Sequence, residues 1–242
     1  MTPAAAVRAF GAQPGDLDVD FDSDDRATVA TEVIARCAAI GHEGAWALPV
    51  GTRLALLVAV AQLCGRHALR WTLPCAADDC DEEIEVELPL ATLAAAARAG
   101  EATEPATVGW GGHRFRPRRP TGEDLRRWHA QPPSDAEIVA AVGGPELAGD
   151  APPELVAAVE AALDAVDPLV DTSLRSTCPA CGRPLALQLD IEAALLADAR
   201  ARQDRLLEDV AALAAAFHWS EPEILALPPR RRRRYLALVE AA

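Results

Sequence analysis

Along most of the chain apolar residues recur every three or four positions, and in two places that spacing gives way to alternation. Val29, Val33, Ile34 and Cys37 set out a first helix, which Gly41 is expected to close. A second helix runs from Thr52, its expected cap, to about Gly65 and carries Leu54, Leu57, Val58, Ala61 and Leu63. Alternation then takes over. Leu69, Trp71 and Leu73 lead up to Cys75, and after Cys80 the residues Ile84, Val86, Leu88 and Leu90 alternate with Glu83, Glu85 and Glu87, as in a strand with a polar outer face. An alanine helix follows and ends at Gly100.

Val108 to Arg119 has two glycines between residues of high β-propensity and predicts a short hairpin. Thr121 to Asp124 is a capping-box pattern that opens a helix containing Leu125 and Trp128, and Ser134 to Glu137 repeats it. Gly143, Gly144 and Pro145 stop the second of these helices, and Pro153 to Val166 forms another. Alternation returns at Val170, Thr172, Leu174 and Ser176 before Cys178, and at Leu185, Leu187, Leu189 and Ile191 after Cys181. A long helix then reaches about Phe217, Ser220 and Glu223 form a third capping box, and Pro228-Pro229 starts a last helix through Arg230–Arg234 and Tyr235. The fold class is therefore α+β and mainly helical, with long C-terminal helices.

The alternating stretches are two copies of one unit. In each, apolar residues fall four, six, eight and ten places after the second cysteine, and the order is strand, knuckle, strand, helix. That is the layout of a zinc-ribbon half, and two halves related by a pseudo-two-fold offer Cys75, Cys80, Cys178 and Cys181 to one structural zinc per chain. Cys178-Pro-Ala-Cys181-Gly carries the stronger signal, because two intervening residues let both sulfurs reach one ion and Gly182 lets the backbone turn with positive φ. Cys75-Ala-Ala-Asp-Asp-Cys80 has four intervening residues and no following glycine, so its pairing rests on the repeat. A redox role for Cys178 and Cys181 would need a helix N-terminus at the thiolate; here a strand follows. Cys64 and His67 fall in or just after a helical run, where a small buried thiol and a partly exposed His are ordinary.

The predicted organisation is a flexible acidic tail over 1–24, a helical domain over 25–219 with the duplicated zinc-ribbon core (half-sites 69–91 and 170–191), and C-terminal helices with an arginine cluster over 220–242. The tail owes its prediction to Asp16, Asp18, Asp20, Asp22, Asp24 and Asp25.

Composition narrows the function classes. With 242 residues the chain can bury a proper core, although only five Trp, four Phe and one Tyr are available and alanine is the commonest apolar residue. A formal charge of −14 and a pI near 4.7 disfavour generic nucleic-acid or anionic-membrane binding. No signal peptide and no apolar run of the roughly 18 to 20 residues a membrane helix needs is present, so a cytoplasmic location is expected. In a reducing compartment six cysteines read as ligands or buried thiols.

No phosphate-binding loop, nucleophile elbow or paired carboxylate motif occurs, and four thiolates leave an ion no open position for catalysis. An enzyme is not expected, nor a small-molecule substrate. The basic run Arg230, Arg231, Arg232, Arg233 and Arg234 suits an acidic partner surface, the chain's own Asp-rich tail, or a solvated helix face. With Tyr235 and Trp219 it forms the candidate partner-binding set. Trp219, between two helices, suits a core plug by default and an interface anchor otherwise.

Four stretches carry a family resemblance: Trp46-Ala-Leu-Pro-Val-Gly51, Pro120-Thr-Gly-Glu-Asp-Leu125, Asp167-Pro168 leading into Cys178-Pro-Ala-Cys-Gly182, and Phe217-His-Trp-Ser-Glu-Pro-Glu-Ile-Leu225 with its arginine-rich finish. Together they resemble the baseplate hub assembly chaperone family of T-even type contractile phages and bacterial contractile injection systems. The resemblance implies a non-enzymatic assembly factor or minor structural component whose partners are baseplate hub, tape-measure or other tail proteins. A second expectation is a zinc-ribbon regulator that binds nucleic acid through the arginine cluster.

Overall fold

The structure is a computed structural model that describes residues 6–147, 149 and 151–241. Helices outweigh strands, and each strand among the described residues belongs to a two-stranded antiparallel hairpin, which makes the chain α+β and mainly helical. The first helix, α1 (Arg26–Cys37), is capped by the Asp25 carboxylate, which accepts from the Thr28 N–H. Gly41 does not close this helix but opens a short second one, α2 (Gly41–Ala47). Helix α3 (Val50–Leu63) starts two residues before the expected Thr52. Its earlier start has a tertiary cause: the Val50 N–H, an orphan of the first turn, donates to the Pro120 carbonyl at 2.9 Å.

The alternating stretches pair as their periodicity requires. Strands β1 (Ala68–Pro74) and β2 (Glu83–Pro89) place Leu69 opposite Leu88, Trp71 opposite Val86 and Leu73 opposite Ile84, so one face is apolar and the glutamates point out. Helix α4 (Leu90–Glu101) continues from β2. The predicted hairpin is β3 (Val108–Trp110) and β4 (His113–Phe115), joined through Gly111 and Gly112, both at positive φ. Helices α5 (Gly122–Ala130) and α6 (Asp135–Gly143) begin with the two expected capping boxes, and α7 (Pro153–Asp164) follows. Strands β5 (Thr172–Thr177) and β6 (Pro184–Leu189) repeat the first pairing, with Leu174 opposite Leu187 and Ser176 opposite Leu185. The 27-residue α8 (Ile191–Phe217) ends at His218 in left-handed conformation, and α9 (Glu221–Ala226) and α10 (Pro229–Glu240) complete the chain.

Three apolar clusters organise these elements. The largest joins α1, α3, α4 and the first turns of α8, with Val33, Ile34, Val58, Leu90 and Ile191 nearly or fully buried. A second sits inside the segment expected to belong to a single helical domain, where Val108, Val139, Val142, Leu155 and Val159 pack β3, α6 and α7 together. The third lies between the two cysteine hairpins and gathers Cys75, Val86, Cys178, Leu185, Leu187 and Leu189.

The acidic N-terminal segment is not a loose tail. Residues 1–5 of that expected tail lie outside the described residues; from Arg8 onward the chain packs against α8. Phe10 is fully buried and meets Phe21 edge-on with ring centroids 5.9 Å apart. Asp16 is also fully buried, held by a fork from Arg8 at 2.6 Å to each oxygen and by the N–H groups of Gly11, Ala12 and Gln13. The density of aspartates masked this outcome, because one carboxylate is neutralised inside and the others alternate with apolar anchors at Phe10, Val19 and Phe21. From α8 the Gln203 amide reaches the carbonyls of Asp16, Leu17 and Val19 at 3.0 to 3.2 Å. Gln203→Ala should therefore loosen residues 6–24 at a cost of about 1–3 kcal/mol. Limited proteolysis would then cut before Asp25 in the variant well before it does so in the parent; equal cutting would show that the apolar anchors and the Arg200 and Arg202 bonds hold the segment without Gln203.

Three of the stretches that carry the family resemblance meet at one junction. Pro49 bridges to Thr121, and the Gly122 N–H donates to the Leu48 carbonyl at 3.1 Å. Gly51 abuts Asp167 so closely that a Cβ there would stand 2.1 Å from a carboxylate oxygen. Arg119 reaches the same carboxylate at 3.6 Å and donates to the Gly100 carbonyl at 2.6 Å. Beneath the junction Arg53 is 1% exposed; it donates to the carbonyls of Ala27 and Ala45, and its guanidinium lies over the Trp46 ring. Nearby, burial pushes the Asp124 carboxyl up, but the Arg118 fork and the Thr121 N–H outweigh this and hold it down at about 2.

Candidate metal centre

Each cysteine pair sits where a hairpin turns. The Cys75 N–H donates to the Glu82 carbonyl at 2.8 Å, and the Cys178 N–H donates to the Arg183 carbonyl at 2.9 Å, so the same bond closes both loops. The tighter second loop needs the glycine behind it: Gly182 adopts φ +73° and its N–H returns to the Cys178 carbonyl at 2.9 Å. The longer first loop turns instead through a Cys80 N–H bond to the Ala77 carbonyl at 3.0 Å.

All four sulfurs lie within 4.8 Å of one another. Cys75 faces Cys181 at 3.8 Å and Cys80 faces Cys178 at 3.8 Å, so the first cysteine of each half meets the second of the other, the pairing that a two-fold axis generates. A tetrahedral ion bound through metal–sulfur bonds of about 2.3 Å spaces its sulfurs about 3.8 Å apart. A disulfide would need about 2.05 Å, and all four remain free thiols. The geometry fits a four-coordinate metal ion.

Electrostatics points the same way. The N–H of Cys181 hydrogen-bonds the Cys178 sulfur and, against the effect of burial, draws its pKa down to about 7. For Cys80 the N–H of Glu82 works in the same direction, but burial and the three neighbouring thiols prevail and push the group up to about 12. Thiolates this close repel one another, and a cation among the sulfurs would offset that repulsion. Cys75 and Cys178 are buried over the apolar floor of Val86, Leu185 and Leu187, Cys80 is half-buried, and Cys181 is exposed at the rim.

Two residues beside the centre were not singled out from the sequence. Arg183 forks onto the Asp79 carboxylate at 2.5 and 2.8 Å, tying the second knuckle to the first. The acidic insertion that made the first knuckle look irregular therefore supplies a cross-link, and Arg183 sets a positive charge beside the thiols. The only signal for this pair was an arginine directly after Cys-Gly and an Asp directly before Cys80. The single β core expected from the repeat is instead two hairpins that share an apolar filling, with no strand pairing between them. Cys37 and Cys64 lie apart in the helical core; burial raises Cys37 to about 12, and the Cys64 thiol donates to the Phe10 carbonyl.

The predicted partner-binding residues lie beyond α8, a helix about 40 Å long at 1.5 Å per residue. Trp219 is half-buried, stacked on Phe217 at 4.8 Å and edge-on to Tyr235 at 4.9 Å, so both aromatics pin α10 to the end of α8. Arg232 does not face outward. It occupies an inward position on α10, 6% exposed and 3.4 Å from Asp209. Arg230, Arg231, Arg233 and Arg234 are exposed, and among the described residues none of the four pairs with the N-terminal aspartates. Comparison with protein-family models, curated proteins and solved structures finds no match to this chain. Among the described residues no helix is long and apolar enough to cross a membrane.

Proposed function

We propose that Cys75, Cys80, Cys178 and Cys181 hold one structural zinc ion, completing a zinc-ribbon-like pair of knuckles, and that the chain is a non-enzymatic assembly protein of a phage-tail-like contractile injection particle. The observation that carries the reading is the closed set of four sulfurs, all within 4.8 Å of one another, with two crosswise pairs at 3.8 Å. Tetrahedral all-thiolate coordination suits zinc, and with four protein ligands no position is left for substrate or activated water. Bound there, zinc would supply charge neutralisation and cross-linking, while the chain's own residues present surfaces to partners.

Support for the assembly role comes from the resembling stretches. Three of them, far apart in the chain, pack into one junction through backbone bonds and close glycine contacts, as expected if they form one inherited unit. Affinity purification from the native host should recover baseplate hub, tape-measure or other tail proteins with the chain. Gene deletion that leaves particles whole and functional would refute the role, and iron in place of zinc in the purified protein would refute the metal.

A further inference from the structure

We infer that the outer face of α10 is a docking surface for a short acidic segment of a partner protein. The inference rests on reading the chain as a binding protein and goes on to state what the partner must carry.

The face is built against local stability. Arg230, Arg231, Arg233 and Arg234 all fall in the first two turns of α10, where the helix dipole opposes positive charge. They also stand three or four residues apart in like-charged pairs, Arg230 with Arg233 and Arg234, and Arg231 with Arg234, which repel along a helix surface. No carboxylate among the described residues lies within ion-pair distance of any of the four. Arg232 alone turns inward to Asp209, and with Tyr235 against Trp219 it fixes the rotation of α10 so that the other guanidinium groups point out. A helix that concentrates unpaired cations at its unfavourable end, in a chain of net charge −14, has its missing counter-charge elsewhere.

The occupant follows from charge and size. An extended polyanion such as nucleic acid or a lipid surface would have to run beyond the patch onto an acidic chain, including Glu221 and Glu223 on the helix just before it. A short run of Asp or Glu matches four guanidinium groups without that penalty, through forked carboxylate bonds. Leu238, 62% exposed one turn past Arg234, extends the face with an apolar contact.

The test uses the full chain with its metal, titrated against a fluorescein-labelled peptide of alternating Glu and Ala, with a single-stranded oligonucleotide and phosphatidylserine vesicles as parallel arms. The peptide should bind, weaken with added salt, and lose affinity by about tenfold or more in the Arg230→Gln, Arg231→Gln, Arg233→Gln, Arg234→Gln variant. Gln keeps helix propensity, so this variant should melt no lower than the parent and should rise slightly as repulsion is relieved. Three results would each overturn the inference: tighter binding of oligonucleotide or vesicle than of peptide, equal peptide binding by the variant, or a clearly lowered melting temperature. Metal content and co-purified tail proteins report on the assembly reading independently, so failure of the two is distinguishable.

Discussion

Cys178→Ser should abolish binding of the proposed zinc ion and release both hairpins while leaving the helical core folded. Cys178 is the most buried of the four cysteines and faces Cys80 at 3.8 Å, so a hydroxyl there leaves three thiols for an ion that would need four. Even hydrogen-bond partners outside a coordination sphere change metal affinity about 10- to 100-fold, and loss of a ligand should exceed about 100-fold. Without the ion, the hairpins are joined mainly by the small apolar cluster around Val86 and Leu187 and by the exposed Asp79–Arg183 pair, worth about 0–1 kcal/mol. Metal analysis should fall from about one zinc per chain to near none. Hydrogen exchange should accelerate through β1, β2, β5 and β6, with α1, α3 and α8 still protected by their own buried contacts. Full retention of zinc by the variant would exclude Cys178 as a ligand. Global unfolding would show that the centre carries the whole fold and not one end of it.

The second large effect is expected at Arg53. Its buried guanidinium joins the Ala27 carbonyl of α1 to the Ala45 carbonyl of α2, both at 2.8 Å, from a position on α3. Burial lowers its pKa, with Glu192 and Asp25 opposing at a distance, and the planar fork is what spans two segments at once. Arg53→Ala strands the Ala45 carbonyl, takes one bond from the Ala27 carbonyl, which the Thr31 hydroxyl still serves at 2.8 Å, and empties the space beside Trp46, at a cost of about 3 kcal/mol. For a chain of this size that lowers the melting temperature by about 10 °C, at roughly 2–4 °C per kcal/mol. Arg53→Lys, which keeps the charge but cannot fork, should recover only part of the loss. An alanine variant that melts with the parent would mean that α1 and α2 are held to α3 by apolar packing alone.

These two sites stand at opposite ends of what periodicity can convey. The four candidate ligands were legible because alternation placed apolar residues at the same offsets after each second cysteine, although the cysteines within the two knuckles are spaced differently. Nothing comparable marks Arg53. Within an apolar helix a lone arginine reads as a solvated residue, and only the approach of α1 and α2 turns it into a buried cross-brace. Arg232 was misjudged for a related reason: five consecutive arginines look equivalent in a sequence, yet a helix must turn one of them inward. The N-terminal segment shows the converse error, since its charge density concealed three apolar anchors and one neutralised aspartate.

By itself the sequence determined the mainly helical character of the chain, the alternating strands on either side of each cysteine pair, the three capping boxes and the four candidate ligands. All of these depend on local periodicity or on side-chain bonds that span three residues, so they are written where they act. Only the tertiary structure decided that thiols about a hundred residues apart meet crosswise at 3.8 Å, that Asp79 and Arg183 link the knuckles, and that the acidic segment seats on α8. Those outcomes depend on which surfaces come together, and a contact between distant segments leaves no period in either of them.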